Sequence, residues 1–114
     1  MTEINFTAFR QAVRANDLDG IETAWLELFE QDAVAADTGR RMLDAMAEQG
    51  LKDAAAEYAE MLENVLMDAE QYAEAREVVL LHLSFAPETP DMRERYLKCM
   101  EAIHDARHAQ FREC

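Results

Sequence analysis

Apolar residues recur at steps of three and four along almost the whole chain, which places them on one face of an α-helix. No segment shows the strict alternation of apolar and polar residues that a half-buried β-strand requires. Only three glycines and two prolines interrupt the pattern, so the connections must be few and short. The sequence therefore predicts an all-α fold in one domain spanning residues 1–114. Because the chain ends inside a predicted helix, the alternative that it is a fragment of a longer protein stays open.

The periodicity predicts six helices, near residues 4–15, 19–28, 34–49, 51–69, 72–86 and 91–111. Asp19 and Glu22 have the spacing of a capping box, and Asp91 is placed to cap the last helix. Gly50 stands where a left-handed C-terminal cap is expected. Pro87 should stop the fifth helix, because proline lacks a backbone donor and clashes with the preceding turn. Short connections make neighbouring helices antiparallel.

The apolar stripes also indicate which large side chains form the core. Trp25 lies on a stripe with other large apolar residues, which predicts a partly buried core position. Five of the methionines fall on inner stripes and are expected to fill the core: Met42, Met46, Met61, Met92 and Met100.

The chain of 114 residues carries a formal charge of −13, from 24 acids and 11 bases distributed without a block of like charge. The negative electrostatic field of this charge opposes direct binding to DNA or RNA, because such binding requires neutralisation of phosphates. The same field favours encounter with basic protein segments. The N-terminus lacks the features of a signal peptide, and no run approaches the roughly 18 apolar residues of a membrane span. We expect a cytoplasmic protein with no membrane partner, in which Cys99 and Cys114 are free thiols.

A weak repeat links three predicted helix starts. Each has a large apolar residue at the turn and a smaller or branched one three positions later: Leu18 with Ile21, Leu51 with Ala54, and Tyr72 with Ala75. The small residue allows close approach of two helices, and the large one fills the turn.

The segment 56–89 resembles a tetratricopeptide repeat, a helix hairpin closed by proline, with Tyr72, Ala75 and Pro87 at the spacing of that family. Val79 stands at a position usually occupied by an aromatic residue. Glu63 replaces the preferred glycine, and His82 replaces the second small residue. The resemblance implies a short right-handed solenoid or bundle of helix hairpins covering most of the chain, with Leu62 and Leu66 on the inner side.

A fainter resemblance involves residues 16–25 and 86–95. They are similar to helical regions that precede Gre-type transcript-cleavage domains in some bacterial elongation factors. The likeness implies a bacterial accessory or regulatory N-terminal domain of an elongation factor that docks to RNA polymerase.

No group of residues predicts catalysis, a cofactor site or a metal site. No nucleophile motif is present, Ser84 is the only serine, and the glycines are isolated. Glu101, His104 and His108 share a helix face, but the first and last are about 10 Å apart along the axis, which is far for shared metal ligation. His82 is expected to be a packed residue hydrogen-bonded to a neighbour.

The sequence therefore favours a non-enzymatic interaction module that presents a concave face to another protein with a basic segment. If the fourth helix is the first member of its hairpin, four of its residues line this face: Glu57, Glu60, Asn64 and Asp68. If the fourth helix is the second member, the same residues face outward. A homodimer is left open, since exposed edges of short helical stacks often pair.

Overall fold

The structure, a computed structural model of the chain, describes residues 6–31 and 34–113, with side chains described up to residue 105. This part of the chain contains six helices and no strand: α1 (Phe6–Arg14), α2 (Leu18–Phe29), α3 (Ala36–Glu48), α4 (Lys52–Asp68), α5 (Tyr72–Phe85) and α6 (Pro90–Glu113). The predicted all-α fold is confirmed, and α5 ends shortly before Pro87 as expected. None of these helices has both the length and the apolar character needed to cross a bilayer.

Three connections, α1–α2, α3–α4 and α4–α5, share one turn geometry. The second residue after each preceding helix is left-handed: Asn16 at φ 55°, Gly50 at φ 82° and Glu70 at φ 61°. The next backbone N–H donates five residues back, from Asp17 to Ala12 (2.8 Å), Leu51 to Met46 (3.0 Å) and Gln71 to Leu66 (2.8 Å). This is the Schellman motif, and it reverses the chain so that the next helix begins two residues later. The left-handed cap predicted at Gly50 is confirmed.

The N-terminal cap of α2 differs from the prediction. Asp17, not Asp19, caps the helix, and its Oδ1 accepts a hydrogen bond from the backbone N–H of Gly20 at 3.2 Å. Because the left-handed turn at Asn16 makes the very next residue the cap, Asp19 lies inside the first turn of α2.

The predicted N-terminal cap of α6 is also wrong. Thr89 Oγ1 accepts a hydrogen bond from the backbone N–H of Met92 at 3.2 Å, which makes Thr89 the cap, and Asp91 lies in the first turn. Pro90 opens the helix, at the one position where its missing donor and fixed φ are favourable.

The shared turn sets the register of the repeat. Each of the three helices begins two residues after the left-handed residue, at Leu18, Lys52 and Tyr72. Three positions into each helix lies a fully buried residue: Ile21, Ala55 and Ala75. The predicted pairs in α2 and α5 agree with this register. The pair Leu51–Ala54 is one residue out of register, because Leu51 occupies the cap position of α4.

The helices form two rows. α3 lies between α1 and α5 in one row, and α2 contacts α4 in the other. The rows approach closely at Gly39 of α3, where a Cβ atom would lie 2.5 Å from Cδ2 of Leu62 in α4. Leu62 and Leu66 are fully buried, as predicted.

Trp25 of α2 lies at the centre of the core and is fully buried, more than predicted. Its ring stacks on Tyr58 of α4, with 5.0 Å between centroids and 4° between planes. Its indole N–H donates to the sulfur of Met46 in α3 at 3.4 Å, so one side chain joins three helices.

The methionines divide into two groups. Met42, Met46 and Met92 are buried as predicted. The prediction is wrong for Met61 and Met100, which are 48% and 38% exposed. Met61 lies between Glu57 and Asn64 on the outward face of α4, and Met100 lies on a side of α6 that is not fully covered by a neighbouring helix.

The left-handed turn positions make a prediction about stability. Glu70→Gly should raise the free energy of unfolding by about 0.5–1 kcal/mol, because glycine adopts a positive φ without a steric penalty. Gly50→Ala should lower it by about 1 kcal/mol for the converse reason. Urea denaturation measures both. Glu57→Gly, at an exposed position inside α4, is the control and should lower stability by about 1 kcal/mol. Two changes of the same sign at Gly50 and Glu70 would contradict the turn assignment.

Candidate functional site

The four residues predicted to bind a partner are all exposed on α4: Glu57, Glu60, Asn64 and Asp68. Their spacing of three and four residues places them on one helix face. The opposite face is buried against α3 through Leu62 and against α5 through Glu63. The predicted residues therefore face away from α3 and α5, which is the outward orientation that the sequence analysis left open.

The negative surface continues from α4 onto α2. The pKa of the Tyr58 hydroxyl is raised, first by burial and then by the nearby charges of Glu22 and Glu57. Glu22 belongs to α2 and Glu57 to α4, and both are exposed. The two helices thus place carboxylates near one partly buried phenol. We call the set Glu22, Glu57, Asn64 and Asp68 the acidic surface.

Glu60 lies at the edge of the acidic surface and differs from the residues of that surface in its ion pairing. Its Oε1 is 3.6 Å from Nη1 of Arg95 in α6, and its side chain is half exposed. Among the described side chains, Glu57 and Asp68 form no ion pair of this kind. Their charges are therefore available to a partner, whereas that of Glu60 is partly neutralised by the chain itself.

Beneath the acidic surface, a buried polar network joins α4, α5 and α6. The carboxylate of Glu63 is fully buried, with Oε2 2.9 Å from Nδ1 of His82 and Oε1 2.7 Å from Nε of Arg95. The prediction that His82 is packed and hydrogen-bonded to a neighbour is confirmed. Both carboxylate oxygens have donors, so the charge is compensated within the core.

The burial of Glu63 was missed by the sequence analysis, which noted only that Glu63 replaces the preferred glycine of the repeat. A signal was present, because Ala59, Leu62, Glu63 and Leu66 have the i, i+3, i+4, i+7 spacing of a buried stripe. A carboxylate on such a stripe requires hydrogen-bonding partners, and the sequence does not show that His82 and Arg95 would supply them.

A cysteine lies within electrostatic range of this network. Cys99 of α6 is a free, fully buried thiol, and its pKa is raised by burial and by the charge of Glu63, with opposing contributions from Arg76 and Arg95. A thiol with a raised pKa is protonated at neutral pH and is a poor nucleophile. The network is therefore suited to fixing α6 on the α4–α5 pair. Cys114, the other predicted free thiol, lies outside the described residues.

Among the residues whose positions are described, no group of three or more His, Cys, Asp or Glu side chains could hold a metal ion. Glu101 and His104 are exposed on α6, and the side chain of His108 lies outside the described part of the chain.

The other row of helices carries a groove between α3 and α5 with mixed charge. It is lined by Asp37, Arg40, Arg41, Asp44 and Glu77, together with apolar residues and Ser84. Arg40 and Asp37 pair within the groove at 3.1 Å. A groove with charges of both signs selects a charged partner less strongly than the acidic surface does.

The chain was compared with protein-family models, with curated proteins and with solved structures, and none of the three comparisons gave a match. The resemblances to tetratricopeptide repeats and to Gre-associated helical regions therefore stay predictions.

Proposed function

We propose that the chain is a non-enzymatic protein–protein interaction module whose acidic surface on α2 and α4 binds a basic segment of another protein. The observation that carries the proposal is the exposure of Glu57, Asn64 and Asp68 on the side of α4 opposite its buried stripe, with the exposed Glu22 of α2 near the same tyrosine, Tyr58. These side chains offer acceptors for the charge-assisted hydrogen bonds that Lys and Arg donate.

The charge of the whole molecule supports a basic partner. A net charge of −13 steers positively charged segments toward the chain and repels phosphate-rich surfaces, so nucleic acids and anionic membranes are unfavourable partners. An electrostatic contact of this kind has a fast association rate and weakens as salt is added.

Charge reversal of the acidic surface should weaken binding of a basic peptide. We expect Glu57→Lys combined with Asp68→Lys to raise the Kd of a fluorescent ten-residue peptide with four Lys or Arg residues by about tenfold, since each exposed pair contributes up to about 1 kcal/mol. The dependence of the Kd on salt should also become shallower. Fluorescence anisotropy at several salt concentrations measures both quantities. Glu60 is left unchanged, because its reversal would disturb Arg95 inside the chain.

The matched control places the same charge change on the other row of helices. Asp44→Lys combined with Glu74→Lys alters the net charge equally at two exposed positions on α3 and α5. This control should change the Kd by less than about threefold, because only the general field is altered. Equal effects of the two double variants would show that binding follows net charge alone, and the acidic surface would lose its assignment.

A further inference from the structure

α6 differs in charge from the rest of the chain. Residues 90–113 contain five bases and five acids, so the net charge of −13 is carried entirely by residues 1–89. Two copies of the chain that approach through their other helices bring like charges together. Approach through α6 avoids most of this repulsion, because the negatively charged residues 1–89 of the two copies then lie on opposite sides of the contact.

α6 also exposes large apolar side chains. Leu97 is 53% exposed and Met100 is 38% exposed, and among the described residues of this helix only Met92 and Cys99 are buried. Arg95 points toward α4, and Leu97 follows two residues later, about 200° around the helix. The apolar flank is therefore turned away from α4 and from the acidic surface.

The exposed flank has a self-complementary pattern. Arg93, Leu97 and Glu101 are spaced at i, i+4 and i+8 and form one exposed stripe. When this stripe faces an identical antiparallel stripe with Leu97 at the centre, Arg93 of each helix lies opposite Glu101 of the other. Arg93 pairs with Glu88 at 3.0 Å in the structure, but both side chains are largely exposed, so exchanging this pair for another costs little.

We propose that the chain forms a homodimer in which α6 packs antiparallel against α6 of a second copy, with the two-fold axis passing beside Leu97. A two-fold contact of this kind uses the same surface on both copies and closes on itself, so it limits assembly to two chains. The occupant is a second copy because the stripe is complementary to itself: in the antiparallel pair a base meets an acid at both matching positions around Leu97.

The expected dimer is weak. One helix flank buries less surface than the roughly 1,200–2,000 Å² of a standard stable interface, which places the contact among transient associations. The dimer should therefore be detected as a concentration-dependent rise in mean mass at tens to hundreds of micromolar protein.

Sedimentation equilibrium of the full chain tests the proposal. Leu97→Glu should raise the dimer Kd at least tenfold, because it places two like charges at the two-fold axis. Leu26→Glu is the matched control, since Leu26 on α2 is 51% exposed, and it should leave the Kd unchanged. A chain that remains monomeric up to about 1 mM overturns the proposal, and so does a dimer with equal sensitivity to both substitutions.

A charge swap tests the antiparallel register. Arg93→Glu and Glu101→Arg should each weaken the dimer about five- to tenfold, and the double variant should restore it to within about twofold, because the two charges then exchange places on both chains. Failure of the double variant to restore the dimer overturns the proposed pairing. Circular dichroism melting confirms that each variant is folded. Since the stripe lies apart from the acidic surface, these results leave the proposed function to its own test.

Discussion

Glu63→Ala should lower the free energy of unfolding by about 3–5 kcal/mol, one of the two largest losses expected in this chain. The substitution removes the carboxylate that contacts both His82 and Arg95, and the Arg95 side chain is only 12% exposed. Without Glu63, the nearly buried guanidinium of Arg95 keeps only its longer contact with the half-exposed Glu60, at 3.6 Å, and its Nε loses its acceptor, which costs more than the lost pair itself. Urea denaturation followed by far-UV circular dichroism measures the change.

Three variants separate this effect from simple loss of volume. Glu63→Gln keeps the shape and should be intermediate, and Glu57→Ala on the exposed face of the same helix should stay within about 0.5 kcal/mol of the wild type. Glu63→Leu combined with Arg95→Met should be less destabilising than Glu63→Ala, because no charge is left buried and unpaired. Amide exchange should increase most in α6, which the network fixes to α4 and α5. A loss below 1 kcal/mol for Glu63→Ala would contradict the network.

Trp25→Ala should lower the free energy of unfolding by about 3–5 kcal/mol, the range typical of truncating a large buried aromatic residue. Its fully buried ring fills the space between α2, α3 and α4, and its removal exposes one face of Tyr58 and leaves the sulfur of Met46 without a donor. The measurement is urea denaturation followed by circular dichroism, because Trp25 is the only tryptophan and its fluorescence is lost in the variant.

Two controls belong to this experiment. Trp25→Phe keeps an aromatic ring against Tyr58 and should cost clearly less than alanine, since the remaining cavity is smaller. Leu26→Ala, next to it in sequence and half exposed, should change stability by no more than about 0.5 kcal/mol. Similar losses at Trp25 and Leu26 would mean that the core is not centred on this tryptophan.

Much of the fold was predictable because helices and turns depend on local sequence. The three- and four-residue spacing predicted six helices, and Gly50 and Pro87 predicted two helix ends close to where they lie. Cap positions were less predictable. Asp17 and Asp19 are both good caps, and the left-handed turn at Asn16, which is uncommon for a residue other than glycine, decides between them.

The candidate site was predictable in part. Exposure of Glu57, Glu60, Asn64 and Asp68 follows from their place opposite the buried stripe of α4. The sequence could not show that Glu60 is engaged by Arg95, or that Glu22 of α2 lies near the same surface. Both facts depend on which helices are neighbours, and these residues are 35 positions apart in each case.

By itself the sequence determined an all-helical chain, its approximate helix limits and a strongly negative charge, because these depend on spacing and composition along one segment at a time. Only the tertiary structure decided that Glu63 is buried and that Met61 and Met100 are exposed. Periodicity shows which side chains share a face, but a face is buried only where another helix covers it. Glu63 is covered by α5 and α6, whereas the flank of α6 that carries Leu97 and Met100 remains largely open to solvent.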